Sequence, residues 1–236
     1  MSEIIKTNVA RIKEDVTKAA LASGRDPSEI NILAATKYTD RAGVEALIEA
    51  GINLIGENRV QEAQKKLGAS PDGSQKDIRE LFPQCKVHMI GMLQTNKVNH
   101  ALRLFDLIET VDRIPLAEAL EKRLERTLPV LVEVKLTAEE TKTGCPVENL
   151  PSLLEYIWSS CPHLELRGLM GMGPWDPDPE TARPFYKKLK SLFDKFRPLS
   201  PQPDTFNTLS MGMSADFHIA IQEGATLVRI GRAFFE

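Results

Sequence analysis

Eight short runs rich in Val, Ile and Leu recur along the chain, and segments with helical spacing of apolar residues separate them. The runs are Asn31–Thr36, Leu54–Gly56, Lys86–Ile90, Leu107–Thr110, Pro129–Val134, Leu166–Met170, Thr205–Leu209 and Leu227–Ile230. Helical patterns fill the gaps over Ala42–Ala50, Arg59–Leu67, Asn96–Leu104, Pro115–Arg126, Leu150–Ser159, Glu180–Phe196 and Ala215–Glu223. A further helix precedes them over Ile4–Ala22, with Ile5, Val9, Ile12 and Val16 on one face and Gly24 ending it. Strands that alternate with helices lie parallel. Most of the runs are continuously apolar, as strands covered on both faces are. Eight repeats predict closure into a single (β/α)8 TIM-type barrel, and 236 residues suit one. An open doubly wound sheet satisfies the same alternation, but GxGxxG and GxxxxGK[ST] are both absent. Gly68–Gln75 and Arg197–Asp204 interrupt the rhythm as turn-rich connectors. The alternation resumes directly after each, so residues 1–236 read as one domain.

Charge and cysteine content narrow the setting. A net charge of −3 leaves no electrostatic footprint for nucleic acid or an anionic membrane. No apolar run reaches the roughly 18–20 residues that span a bilayer. Met1-Ser2-Glu3-Ile4-Ile5-Lys6 is polar and helical in pattern, unlike a signal peptide. Cys85, Cys145 and Cys161 are widely separated and lack metal-ligand spacing, so they read as reduced thiols. His100, His163 and His218 also lack metal-ligand spacing. The expectation is a soluble cytoplasmic protein without a metal.

In a barrel, chemistry gathers at the C-terminal ends of the strands. Lys37 follows the interior run Ile32-Leu33-Ala34-Ala35, which places its amine at the barrel mouth. A desolvated lysine there can attack a carbonyl, and an ordinary lysine there reaches solvent. Ser210-Met211-Gly212-Met213-Ser214 follows the seventh run, with Ser214 suited to cap the next helix and Asp216 in its first turn. Gly231-Arg232 follows the eighth run. A hydroxyl, glycine and two sets of exposed amides after the last two strands suit a phosphate, though each glycine alone is explained by a turn. A reactive amine facing a phosphate pocket implies a phosphorylated aldehyde. Pyridoxal 5′-phosphate (PLP) fits this, and so does a sugar phosphate in a Schiff-base aldolase.

Longer blocks add a resemblance. Ala35-Thr36-Lys37, Gly56-Glu57-Asn58-Arg59-Val60-Gln61-Glu62 and His88-Met89-Ile90-Gly91-Met92-Leu93-Gln94-Thr95-Asn96-Lys97 are three of them. Gly168-Leu169-Met170-Gly171-Met172, Leu209-Ser210-Met211-Gly212-Met213-Ser214-Ala215-Asp216 and Val228-Arg229-Ile230-Gly231-Arg232 complete the set. In this order they resemble the signature blocks of the PLP homeostasis protein family (YggS/PROSC type), over nearly the whole chain. The resemblance implies a fold-type III PLP barrel similar to the alanine racemase N-terminal domain. It implies Lys37 as the Schiff-base lysine, and Ser210, Gly231 and Arg232 on the phosphate, the latter two through backbone amides. Asn58 and Met211 would line the cofactor, and Arg229 would face the pyridine nitrogen. Lys135 stands where many relatives carry Asn, whereas Lys142-Thr143-Gly144 keeps the family's Lys-x-Gly.

A permanently charged arginine at the pyridine nitrogen makes the ring a weak electron sink. Racemisation also needs a second acid/base group on the opposite face of the substrate. In alanine racemase-like enzymes a further β domain supplies it, and this chain ends shortly after the eighth run. Tyr38, His88 and Glu57 are the alternative acid/base groups. His88 otherwise reads as a strand-end hydrogen-bonding residue and Glu57 as half of an ion pair. The expected function is therefore a non-catalytic PLP-binding protein of vitamin B6 and amino-acid homeostasis. A racemase, a Schiff-base aldolase and a regulatory module controlled by PLP occupancy are the alternatives. Expected partners are PLP, PLP-dependent apo-enzymes or a regulatory protein, with the chain itself a monomer.

Overall fold

The structure, a computed structural model, describes residues 2–137, 143–174 and 176–236. In chain order the elements begin α1 (Ser2–Ala22), β1 (Asn31–Ala35), α2 (Arg41–Glu49), β2 (Leu54–Glu57), α3 (Val60–Leu67), α4 (Ile78–Leu81) and β3 (Lys86–Met89). They continue α5 (Val98–Leu104), β4 (Leu107–Val111), α6 (Ile114–Glu121), β5 (Leu128–Lys135), β6 (Cys145–Pro146) and α7 (Leu150–Ser160). The last are β7 (Leu164–Gly171), α8 (Arg183–Phe196), β8 (Thr208–Ser210), α9 (Phe217–Gln222) and β9 (Leu227–Ile230).

The strands run β4-β3-β2-β1-β9-β8-β7-β5, all parallel, and β4 also pairs with β5 through Ile108↔Val130. That last pairing closes an eight-stranded barrel and excludes the open sheet. β6 was not expected: its two residues extend the C-terminal end of β5 through Val134↔Cys145. Gly168 is required where β7 meets β8, at φ +146°, because a Cβ would stand 1.9 Å from Thr208 O. α1 lays Ile5, Val9, Ile12 and Val16 against α2 and α9. Asn8 Nδ2 ties it to the chain end by donating to Phe234 O (3.2 Å) and Glu236 O (2.8 Å). Among the described residues no helix is long and apolar enough to cross a membrane.

Several boundaries shift for local reasons. The helix expected from Ala215 begins at Phe217, with Asp216 rather than Ser214 at its N-cap position. Asp216 Oδ1 accepts from Met213 N at 2.6 Å, which folds Ser214 into the preceding turn. Single 3-10 turns over Thr95–Lys97 and Pro179–Ala182 lead into α5 and α8. The seventh expected strand starts at Thr208, not Thr205, because Thr205 N bonds back to Gln202 O in a turn.

Candidate functional site

β1 delivers Lys37 to the barrel mouth, where two cavities meet. The smaller, about 320 Å³, is walled by Lys37, Tyr38, Asn58, Ser214, Arg229 and the Gly231-Arg232 turn, among others. The larger, about 820 Å³, shares Lys37 and Asn58 and extends over the turns that follow β2 and β3. Lys37 is exposed, so burial does not desolvate it. Its Nζ lies 5.0 Å from the centroid of the Tyr38 ring and has no hydrogen bond or ion pair among the described residues. The Lys37 side chain is thus open to both cavities.

Five of the expected site residues, Lys37, Asn58, Arg229, Gly231 and Arg232, line the smaller cavity. Ser210 and Met211 do not. Both are fully buried, and Ser210 lies within the barrel interior. Its Oγ donates to Glu109 Oε2 at 2.6 Å and accepts from Arg229 Nη1 at 2.5 Å, so its one proton is committed away from the cavity. The hydroxyl that reaches the cavity is Ser214, whose Oγ accepts from Gly231 N at 3.1 Å. Gly231 keeps that wall open: a Cβ would stand 3.3 Å from Tyr38 Cε2 and 3.5 Å from Ala35 O. The Gly231 amide is thus spent on Ser214, and the Ser214 hydroxyl proton and Arg232 are left on that wall as an anion cradle.

Beneath the cavity lies a buried polar network that sequence reasoning missed. Glu109 on β4 is fully buried inside an apolar run, and an acidic residue in such a run was its one sequence signal. His88 Nδ1 lies 2.8 Å from Glu109 Oε1, and Arg229 Nη1 lies 3.9 Å from Oε2. Arg229 Nη2 also donates to Gly171 O at 3.0 Å. Burial pushes the Glu109 carboxyl up, but the His88 hydrogen bond and charge, Arg229 and Ser210 bring it below the ordinary carboxylate range. His88 is therefore the strand-end hydrogen-bonding residue expected of it.

Glu57 is almost fully buried and accepts from Thr36 Oγ1 (2.5 Å) and Lys66 Nζ (2.7 Å), the ion pair that was its alternative reading. Glu133 is also buried and accepts from Thr143 Oγ1 at 2.9 Å, and burial pushes its carboxyl up. Lys135 ends β5 half-buried, and Lys142 lies outside the described residues. Asn58 Oδ1 is buried without a hydrogen-bond partner among the described residues, in the wall common to both cavities.

A closed parallel barrel with a free lysine after its first strand and an anion cradle after its last two defines the class of the alanine racemase-type barrel. Residues 34–236 match the family described as alanine racemase, N-terminal domain. The pyridoxal phosphate homeostasis protein of Aquifex aeolicus is 37% identical over 96% of this chain and 95% of its own length. That of Escherichia coli is 33% identical over 98% and 95%. The chain belongs to the pyridoxal phosphate homeostasis protein family. Among solved structures, PipY of Synechococcus elongatus with PLP bound superposes at a TM-score of 0.78, with 27% identity over 98% of this chain and 100% of that one. Alanine racemase from Bacillus anthracis superposes at 0.71 with 17% identity, covering 99% of this chain and 56% of that one, which shows the shared fold.

Proposed function

We propose that this chain holds PLP in the smaller cavity, attached through Lys37, and serves PLP homeostasis by carrying the cofactor without turning over a substrate. One observation carries the reading: the unpartnered amine of Lys37 and the cradle of Ser214 and Arg232 open into the same 320 Å³ space. PLP supplies an aldehyde that condenses with an amine and a ring that withdraws electrons from it. Ser214 and Arg232 replace Ser210 as the side chains assigned to the phosphate, with the Gly231 amide holding Ser214 in place. Met211 acts through packing, and the Asn58 amide orients the ring edge.

The commitments of the acid/base groups support the absence of turnover. Glu57 is neutralised by Lys66, His88 is held by Glu109, and Tyr38 lies against Lys37 itself. Arg229 is permanently charged and gives the cavity a cation where a strong electron sink needs a carboxylate to keep the ring nitrogen protonated. The free, buried cysteines fit a reducing cytoplasm. We place the protein there as a monomer that exchanges PLP with apo-enzymes or a regulatory protein.

The test is spectroscopic. Purified or PLP-reconstituted protein should absorb at about 420 nm, as a protonated imine does, and Lys37→Ala should not. Wild-type protein that stays colourless after reconstitution overturns the reading. Robust α-proton exchange from L- and D-alanine would make it a racemase instead.

A further inference from the structure

The larger cavity, about 820 Å³, has a charge pattern of its own. Arg59 and Lys97 contribute cations from two separate turns, and Glu62 contributes a carboxylate. None of the three side chains has an ion pair or a hydrogen bond among the described residues. Elsewhere on the surface some charges are paired, as Lys18 is with Glu14 and Lys122 with Glu118, both at 2.6 Å. On the same wall Lys66 is neutralised by Glu57 at 2.7 Å. Three unpaired charges of both signs thus line the concavity that opens beside Lys37, and Asn58 Oδ1 adds a buried acceptor with no donor among the described residues.

Residue types decide what would satisfy this set. Two single cations on different turns match two separate monoanions, and the Arg59 fork suits a carboxylate in particular. A phosphate is better served by Ser214 and Arg232, which stand together in the other cavity. Glu62 and Asn58 Oδ1 call for a donor cation, which an ammonium supplies. We propose that the larger cavity is a binding subsite for an acidic α-amino acid, its two carboxylates on Arg59 and Lys97 and its ammonium toward Glu62 and Asn58. The subsite rests on the PLP reading only in taking the smaller cavity as occupied. Binding there is non-covalent and sets the occupant beside Lys37, where it would sense or influence release of the cofactor.

Calorimetric titration of L-glutamate tests this on both unloaded and PLP-saturated protein. Glutamate should bind both forms, and L-alanine, with one carboxylate, should bind about tenfold more weakly. Arg59→Ala and Lys97→Ala should each weaken glutamate about tenfold, the loss expected for a charged hydrogen bond, while the PLP absorbance is unchanged. Glu62→Gln should narrow the gap between glutamate and glutarate, which lacks the ammonium. Equal affinity for alanine and glutamate, unaffected variants, or no heat from millimolar glutamate would each overturn the subsite. So would loss of binding on PLP loading, because glutamate would then have occupied the smaller cavity. A colourless wild type sinks the cofactor reading alone, and titration of unloaded protein still decides the subsite.

Discussion

Replacing Glu109 with leucine should be among the most damaging single changes in the barrel. The carboxylate is fully buried, with His88 Nδ1 and Ser210 Oγ at 2.8 and 2.6 Å and Arg229 Nη1 at 3.9 Å. At that separation an effective dielectric of about 20 gives an attraction of about 4 kcal/mol. Leucine leaves the Arg229 guanidinium buried with only Ser210 and Gly171 O for company. Breaking a buried pair in this way costs about 3–5 kcal/mol. For a chain of this length each kcal/mol lowers Tm by about 2–4 °C, so a fall of roughly 6–20 °C is expected. Thermal and urea unfolding of Glu109→Leu, Glu109→Gln, Arg229→Met and the Gln/Met double variant would measure it. The double variant should be more stable than the sum of its singles predicts, by at least about 1 kcal/mol. The pH dependence has a definite sign. The Glu109 carboxyl is held below its ordinary value, so its contribution is complete above the unfolded pKa of about 4.3 and is lost as pH falls through the lower folded value. Wild type should therefore lose more stability on acidification than Glu109→Gln. Strict additivity, or a Glu109→Leu protein within about 1 kcal/mol of wild type, would refute the charge-pairing argument.

Three other outcomes follow from single features. Gly168→Ala should cost more than about 3 kcal/mol, measured as loss of soluble protein or a large fall in Tm. Its Cβ would strike the backbone oxygen of Thr208 on the neighbouring strand, which cannot swing aside. Glu133→Gln should stabilise the protein at pH 8 by on the order of 1 kcal/mol in urea titrations. Burial raises this carboxyl, so its penalty is present above the folded pKa and disappears as pH falls toward the unfolded one; equal stability at pH 8 would contradict it. Burial also pushes Cys85 up to about 12 and Cys145 and Cys161 to about 11, so native protein should react with thiol reagents at pH 8 far more slowly than unfolded protein. Fast labelling of any of the three would show that its burial is not maintained.

The parts of the fold that were legible in the sequence were those with a period. Leu227–Ile230 ends where its apolar run ends, and the others fall within a few residues of theirs. β6 was invisible because two residues, Cys145 and Pro146, carry no periodicity. Lys37, Asn58 and the Gly231-Arg232 turn were legible because a barrel gathers strand ends at one mouth. Ser210 and Ser214 could not be told apart in the sequence. Both flank the same turn, and only the inward aim of β8 turns the first into the barrel and leaves the second to the cavity. Glu109 was hidden by the apolar run around it. The unpaired state of Arg59 and Lys97 was equally hidden, since a missing partner is a property of space and not of sequence.

The interior network also bears on what kind of barrel this is. Around the ring β4 and β9 stand four strands apart in either direction, as do β3 and β8. Glu109 and Arg229 therefore reach toward each other across the full width of the barrel, and His88 and Ser210, from the second pair of strands, both bond Glu109. An apolar filling of equal volume would be as stable or more so, because desolvating these charges offsets most of their attraction. What the charges add is position. Arg229 is held on three sides, by Ser210, Gly171 O and Glu109, so its guanidinium is a fixed part of the cavity wall. A fixed cation opposes protonation of whatever base is placed against it, and the unfolding cost predicted for Glu109→Leu is the measure of how firmly it is held. A site that retains an electrophile without activating it needs that rigidity more than it needs a catalytic acid.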